Sequence, residues 1–343
     1  MQQDIVTMVV YLYIFVCIAL MFFNIAYILY AKQKAARDKR RVKRMLKHQL
    51  ACIQRQKSPC VLTNREKKYL LRKFKRIENL KAFEQSLYLC IQRTSKKDTE
   101  QYLTGCVQVF YETAMEYKKK PAMERAYFAY VIAAHMKGVA KYYQGITRIL
   151  LLYLEDTTVY CRENVLQAFY ALGSEGALEQ AFALMKKQGY CHEHRLIADG
   201  LLQFQGDQYN LAVDLWKKRM EYEASVRVGI LQFMTRSPFN FSNLLLPQLE
   251  NIHGEEGFAL IRYFARHRCL GATPILVKIL QREDAFSVVA AAALGSYASE
   301  TVKDALKEAQ HSVLWYVRKN AALSLRKIEG EGEEYDKKCS CNS

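Results

Sequence analysis

Turn-forming residues are scarce in this chain, with 15 glycines and 5 prolines among 343 residues. Alongside abundant Ala, Leu, Lys, Glu and Gln, that scarcity favours helix throughout. Charge is missing altogether from residues 5–30, IVTMVVYLYIFVCIALMFFNIAYILY. The parts of a cleavable signal peptide are missing too. The first four residues carry no positive charge, the apolar run far exceeds an h-region of roughly 7–15 residues, and no A-x-A-like site follows. A P-loop, a dinucleotide G-x-G-x-x-G and a G-x-S-x-G elbow are all absent from the sequence. The ten cysteines, at 17, 52, 60, 90, 106, 161, 191, 269, 339 and 341, are scattered, several on apolar helix positions. In a reducing cytoplasm this pattern predicts free thiols and no disulfide framework.

What is present begins with the apolar run. Its 26 residues make a helix of about 39 Å, more than a bilayer core of about 30 Å requires. Residues 5–30 are therefore predicted to be a transmembrane helix. Residues 31–47, AKQKAARDKRRVKRMLK, hold nine Lys/Arg against one Asp. Such flanks stay on the cytoplasmic side, so residues 1–4 are expected outside and the body inside, as a single-pass cell-membrane protein. Tyr27 and Tyr30 fall where amphipathic rings settle, near the inner interface. Asn24 reads either as an interface residue or as a helix–helix contact within the bilayer.

The net charge of +17 suggests a nucleic-acid binder until it is located. Residues 31–76 contain 18 Lys/Arg and 2 Asp/Glu, whereas residues 77–343 contain 33 and 31. The excess lies beside the bilayer, where each cation near an anionic surface is worth about 1 kcal/mol. Lys39, Arg40, Arg41, Lys43 and Arg44 are the predicted membrane-surface residues, facing anionic lipid headgroups. Residues 31–76 read as a basic juxtamembrane segment, mostly helical, interrupted at Ser58-Pro59. Thr63 and Glu66 form the capping-box pattern T-x-x-E, opening a helix with Tyr69, Leu70, Phe74 and Ile77 on one side. Such a helix either lies on the headgroups or packs on the body as an ordinary cap.

From about residue 82 one rhythm takes over. A frame of Arg with apolar residues three, four and seven positions on occurs at Arg125/Phe128/Ala129/Ile132, Arg162/Val165/Leu166/Phe169, Arg227/Ile230/Leu231/Met234 and Arg318/Ala321/Ala322/Leu325. Weaker copies start at Arg195, Gly257 and Ser287; in the first of these, Asp199 takes an apolar slot and Leu202 ends the frame. The last positions, 132, 169, 202, 234, 264, 294 and 325, step by 37, 33, 32, 30, 30 and 31. Spacing i, i+3, i+4, i+7 marks the buried stripe of a helix. A second apolar helix lies between successive frames, at 146–155, 177–187, 210–219, 241–252, 273–282 and 300–309. Two short helices per unit predict an α-solenoid, each unit burying its face against its neighbours.

The frame V-R-x-x-A-A-x-x-L, cleanest from Val317 to Leu325, resembles the HEAT-repeat family, as do Pro247 in LLLPQL and Pro274 in ATPILVKIL. The resemblance covers about 100–328. Together with the apolar run it gives an expected all-α fold: a transmembrane helix followed by a HEAT-like solenoid of about seven helix pairs over 77–328. First helices would line the convex face and second helices the concave one, with the frame Arg packing between repeats as a structural residue. Residues 329–343 are expected to be an acidic disordered tail. Tetratricopeptide repeats, the main rival, require a W-x2-L-G-x2-Y pattern that is not sustained. The chain also resembles bacterial membrane-anchored HEAT proteins that accompany membrane enzymes such as processive glycosyltransferases making surface polysaccharide, and an accessory role of that kind is what this resemblance implies.

Candidate chemistry is thin. Cys191-His192-Glu193-His194 is the one local cluster of ligand types and reads as a surface loop, because a metal site needs three or four converging ligands. Cys339 and Cys341 fall on the tail. Glu155-Asp156 and Glu255-Glu256 read as helix-end residues, and Trp216 and Trp315 as core or ridge packing. No catalytic residue, cofactor or metal is expected. On the second helices, frame position +5 points away from the core and reads Gln167, Gly200, Gln232, Arg262, Ala292 and Leu323. Position +8 adds Tyr170, Gln203, Thr235 and Arg326. This mixed row suits protein contact better than phosphate tracking. Gln167, Tyr170, Gln203, Gln232, Arg262 and Arg326 are the predicted partner-binding residues. The function expected is a non-catalytic scaffold that binds a partner protein at the membrane, with no nucleic acid or small-molecule substrate. Two alternatives remain: a HEAT-like enzyme resembling alkylpurine DNA glycosylases or phycobilin lyases, or a lipid-surface binder acting through residues 31–76.

Overall fold

A computed structural model describes residues 2–55, 61–137, 144–155 and 158–340. Ser58-Pro59, Asp156 and Cys341 lie outside the described residues, as does the Cys339 side chain. Among the described residues there are eighteen α-helices and no strand. The chain divides into two compact units, Met1–Val131 and Ile132–Ser343.

The first unit is built on α1 (Gln2–Arg55), one unbroken 54-residue helix. Every side chain from Tyr11 to Arg37 is exposed, so a long apolar surface meets nothing in the protein. Among the described residues this is the one helix long and apolar enough to cross a membrane; a signal sequence would pass the same test. Further down, α1 becomes a core element. Met45, Leu46, Gln49 and Cys52 are buried, and Gln49 Nε2 donates to the Phe83 carbonyl at 3.3 Å. The basic residues from Lys32 to Arg44 thus lie on the upper part of a helix whose lower part packs against α3 (Ile77–Ile91).

The other helices of this unit are α2 (Asn64–Phe74), α4 (Lys96–Gly105) and α5 (Val107–Tyr117). Thr63 caps α2 in a complete capping box: its hydroxyl accepts from Glu66 N–H, and the Glu66 carboxylate accepts from Thr63 N–H at 2.8 Å. The helix ends at Phe74, and Ile77 already opens α3. Leu70 and Phe74 are buried, α2 packs on α3 and α5, and Tyr117 Oη donates to the Phe74 carbonyl at 2.9 Å. Of the two readings of this helix, the packed one matches these contacts. Phe74, Phe83, Phe110 and Phe128 form an aromatic core. The division between the units falls within α6 (Ala122–His135).

The second unit alternates two kinds of helix. Those carrying the frame are α8 (Val159–Leu172), α10 (His194–Leu202), α12 (Ala224–Arg236), α14 (Gly254–Arg266), α16 (Ala285–Leu294) and α18 (Trp315–Ser340). They pack in succession, α8 on α10, α10 on α12, α12 on α14, α14 on α16 and α16 on α18. Between them lie α7 (Gln144–Leu151), α9 (Glu175–Lys187), α11 (Gln208–Lys217), α13 (Ser242–Leu245), α15 (Thr273–Leu280) and α17 (Glu300–Ala309). The apolar stretch 241–252 is not one helix. Pro247 has no N–H and its ring crowds the preceding turn, so α13 stops after four residues and a 3-10 stretch, Leu246–Asn251, follows. Pro274 instead stands in the first turn of α15, where no N–H is needed.

The stripe positions are buried as spaced in α8, α12, α14 and α16, but α10 departs by one residue. Its buried positions are Ile197, Ala198, Gly200 and Leu201, rather than a stripe through Ala198, Asp199 and Leu202. Asp199 cannot enter an apolar core without a paired charge, and turning the helix by one residue puts it outside. Of the frame Arg residues, Arg227 bridges neighbouring helices, while Arg162 and Arg318 engage loop residues. Arg227 pairs with Glu256 at 2.6 Å and donates to the Tyr222 carbonyl at 2.8 Å. Arg162 lies over the Tyr190 ring at 4.2 Å, and Arg318 donates to the Ser312 carbonyl at 2.8 Å. At the end, α18 runs on to Ser340, so residues 329–340 are helical where disorder was expected. Glu and Lys, frequent there, are good helix formers that extend an established helix at little cost.

Candidate functional site

On the side of α10, α12 and α14 away from their buried stripes, one cleft of about 380 Å³ gathers Arg195, Asp199, Gln232, Thr235, Arg236, Ala259 and Arg262. Two of these helices approach each other closely. Gly229 on α12 faces α10 so tightly that a Cβ there would stand 2.9 Å from the His194 carbonyl oxygen and from Ile197 Cβ. The apolar residues of each helix are turned into the core, and 3.6-residue periodicity leaves the six cleft-lining polar positions on the outer arc.

Arg236 Nη1 pairs with Asp199 at 2.5 Å across two helices. Thr235 Oγ1 donates to the Leu231 carbonyl at 2.7 Å, which ties the hydroxyl to its own helix. Arg195 and Arg262 are exposed, and neither has an ion pair among the described residues. The cleft therefore holds three guanidinium groups and one carboxylate, a surplus of two positive charges. Guanidinium forks of this kind bind carboxylates bidentately.

The predicted partner-binding residues are placed unevenly. Gln232 and Arg262 meet in the cleft. Gln203 and Arg326 are exposed but do not line it. Gln167 is half-buried and donates to Glu163 Oε1 at 3.0 Å. Tyr170 is a correction: it is only 2% exposed, its ring filling the space that a side chain on Gly200 would need. Gly200 is buried as well, because the one-residue shift in α10 moves Asp199 to the outward position. Asp199, Arg195 and Arg236 were missed by the sequence reading. The signal was Asp199 itself, whose misfit in an apolar slot marked a displaced register.

The Cys191–His194 cluster is also a correction, in part. Cys191 is exposed, but the His192 side chain is buried and its Nε2 meets Glu163 Oε2 at 2.6 Å. That hydrogen bond holds the Glu163 carboxyl below its ordinary range, against the opposing effect of burial. Glu256 is engaged by Arg227. Trp216 is buried, but Trp315 is half exposed and lies edge-on to Tyr316. The seven cysteines whose side chains are described are all free.

In the first unit, His48, Cys52 and Glu66 bring three ligand atoms within 4.8 Å of one another, the one such trio among the described residues. Imidazole, thiol and carboxylate suit a zinc ion, yet their contacts point elsewhere. Cys52 Sγ donates to Glu66 Oε1 at 3.1 Å, Arg55 binds the same oxygen, and Oε2 takes Thr63 N–H and hydroxyl. Burial alone would raise this carboxyl, but these hydrogen bonds pull it down to about 2. Burial pushes the His48 imidazole down, and it stacks on Tyr69 at 4.5 Å. With both oxygens occupied and a guanidinium alongside, the trio ties α1 to α2 rather than offering a cation site. Comparison with protein-family models, curated proteins and solved structures finds no match for this chain.

Proposed function

We propose that this chain is a membrane-anchored, non-catalytic adaptor whose HEAT-like α-solenoid holds a partner protein by an acidic segment. In this reading α1 crosses the bilayer once, with its basic flank on the cytoplasmic side, and the succession from α8 to α18 is the inner row of the solenoid. The observation that carries it is the cleft of α10, α12 and α14, where Arg195 and Arg262 stand exposed without carboxylate partners. An acidic side chain docking there completes pairs that the chain leaves open.

The test is a photo-cross-linking residue at Gln232 of the full-length protein in its native membranes. We expect a specific protein adduct that falls about tenfold or more in the R195E/R262E variant and weakens with added salt. A protein adduct indifferent to that double substitution, or adducts to lipid or nucleic acid alone, would sink the proposal.

A further inference from the structure

The first unit carries a second cleft, of about 470 Å³, at the point where α1 changes character. One wall is α1 itself, through Tyr30, Lys34, Arg37 and Arg41. These positions are spaced by four, three and four, so at about 100° per residue they share one narrow face. The opposite wall is the α2–α3 junction, Lys75 and Arg76, with Lys120 beside it. Three separate segments thus aim cations into one space.

Six cations line this cleft, with Glu78 and Glu124 as the lining carboxylates. Glu124 is 3.7 Å from Lys120, and Asp38 just outside pairs with Arg41 at 2.6 Å. Even with Asp38 included, cations outnumber carboxylates two to one. Lys34, Lys75 and Arg76 form no ion pair among the described residues. Left so, mutually repelling cations destabilise the fold, and an anion between the walls removes that cost.

The position of the cleft selects the anion. The uncharged run ends at Tyr30, the uppermost residue of the cleft, so the cleft opens where the chain leaves the apolar layer. Arg41 and Ile77 line the same cleft, while Gln49 meets Phe83. So α3 starts at this level and runs away from the apolar end alongside α1. We propose that this cleft is a binding site for the phosphate headgroup of an anionic membrane lipid, with Tyr30 at the glycerol level and the six cations around the phosphate. The proposal rests on α1 spanning a bilayer. It also separates the five predicted surface cations, because Arg41 lines the cleft whereas Lys39 and Lys43 lie about half a turn away on the opposite face of α1.

The test reconstitutes the full-length protein in phosphatidylcholine vesicles with a minor fraction of spin-labelled phosphatidylglycerol. An alkaline carbonate wash comes first: a protein that washes off removes the spanning reading, and this proposal with it. For protein that stays, electron spin resonance measures the immobilised lipid. We expect K75Q/R76Q and K34Q/R37Q each to weaken its retention about tenfold or more, and K39Q/K43Q to change it less than twofold. Equal loss in all three variants would reduce the effect to diffuse surface charge and overturn the site. Displacement of the label by millimolar inorganic phosphate would assign the cleft to a soluble anion, which also overturns it.

Discussion

Glu66 shows how much one side chain can fix. It closes the cap of α2, accepts from the Cys52 thiol on α1 and binds Arg55. Its carboxyl is held at about 2, below its unfolded range, so the ionised form favours the folded state. The sign follows from linkage: the stabilisation is complete above about pH 4.5 and is lost as pH falls towards about 2. Thermal unfolding of the detergent-solubilised protein should therefore place wild type above E66Q at pH 7, with the gap closing through that window. A gap independent of pH would show that the charge is not what matters. Thr63→Ala removes the other half of the cap and should cost about 1 kcal/mol. This cap was legible in the sequence, because T-x-x-E is complete within four residues. The His192–Glu163 bond was not, since its partners stand 29 residues apart and only packing brings α8 to the start of α10.

Helices in the second unit are held by how closely their backbones approach. Gly229→Ala pushes a methyl against the His194 carbonyl and Ile197 of α10, and neither can yield without moving the helix. We expect a loss of about 1–3 kcal/mol in denaturant titrations. Gly176 in α9 is the contrast: nothing lies within 4 Å of its would-be Cβ. Gly176→Ala should raise stability by up to about 1 kcal/mol through helix propensity alone. If the two substitutions had equal effects, close packing would not be what Gly229 provides. Periodicity revealed the buried stripe of most of these helices, because apolar burial is a local property of spacing. It failed for α10, where a charge turned the helix by one residue, and for 241–252, where Pro247 broke a run that looked uniformly apolar. The cleft inherited both outcomes. Gln232 and Arg262 were found from register, whereas Asp199, Arg195 and Arg236 depend on how three helices align.

Taken whole, the chain concentrates its positive charge in one stretch and leaves the rest nearly balanced. That partition was readable from composition, but the cleft it forms was not, because Lys75, Arg76 and Lys120 reach α1 only through the packing of the first unit. The unbroken course of α1 has a mechanical consequence. Fifty-four residues in one helix make a rod of about 80 Å, with no hinge between its apolar half and the half buried in the unit's core. If α1 spans a bilayer as proposed, a bilayer that tilts such a rod to match its own thickness must swing the rest of the first unit through the same angle. The first unit would then behave as a lever, not a tether, with membrane thickness setting the direction in which its packed helices point. A fluorophore at Q85C should change its distance from headgroup probes as lipid acyl chains lengthen. A flexible Gly-Ser insert after Ala36 should uncouple the two motions and abolish that change.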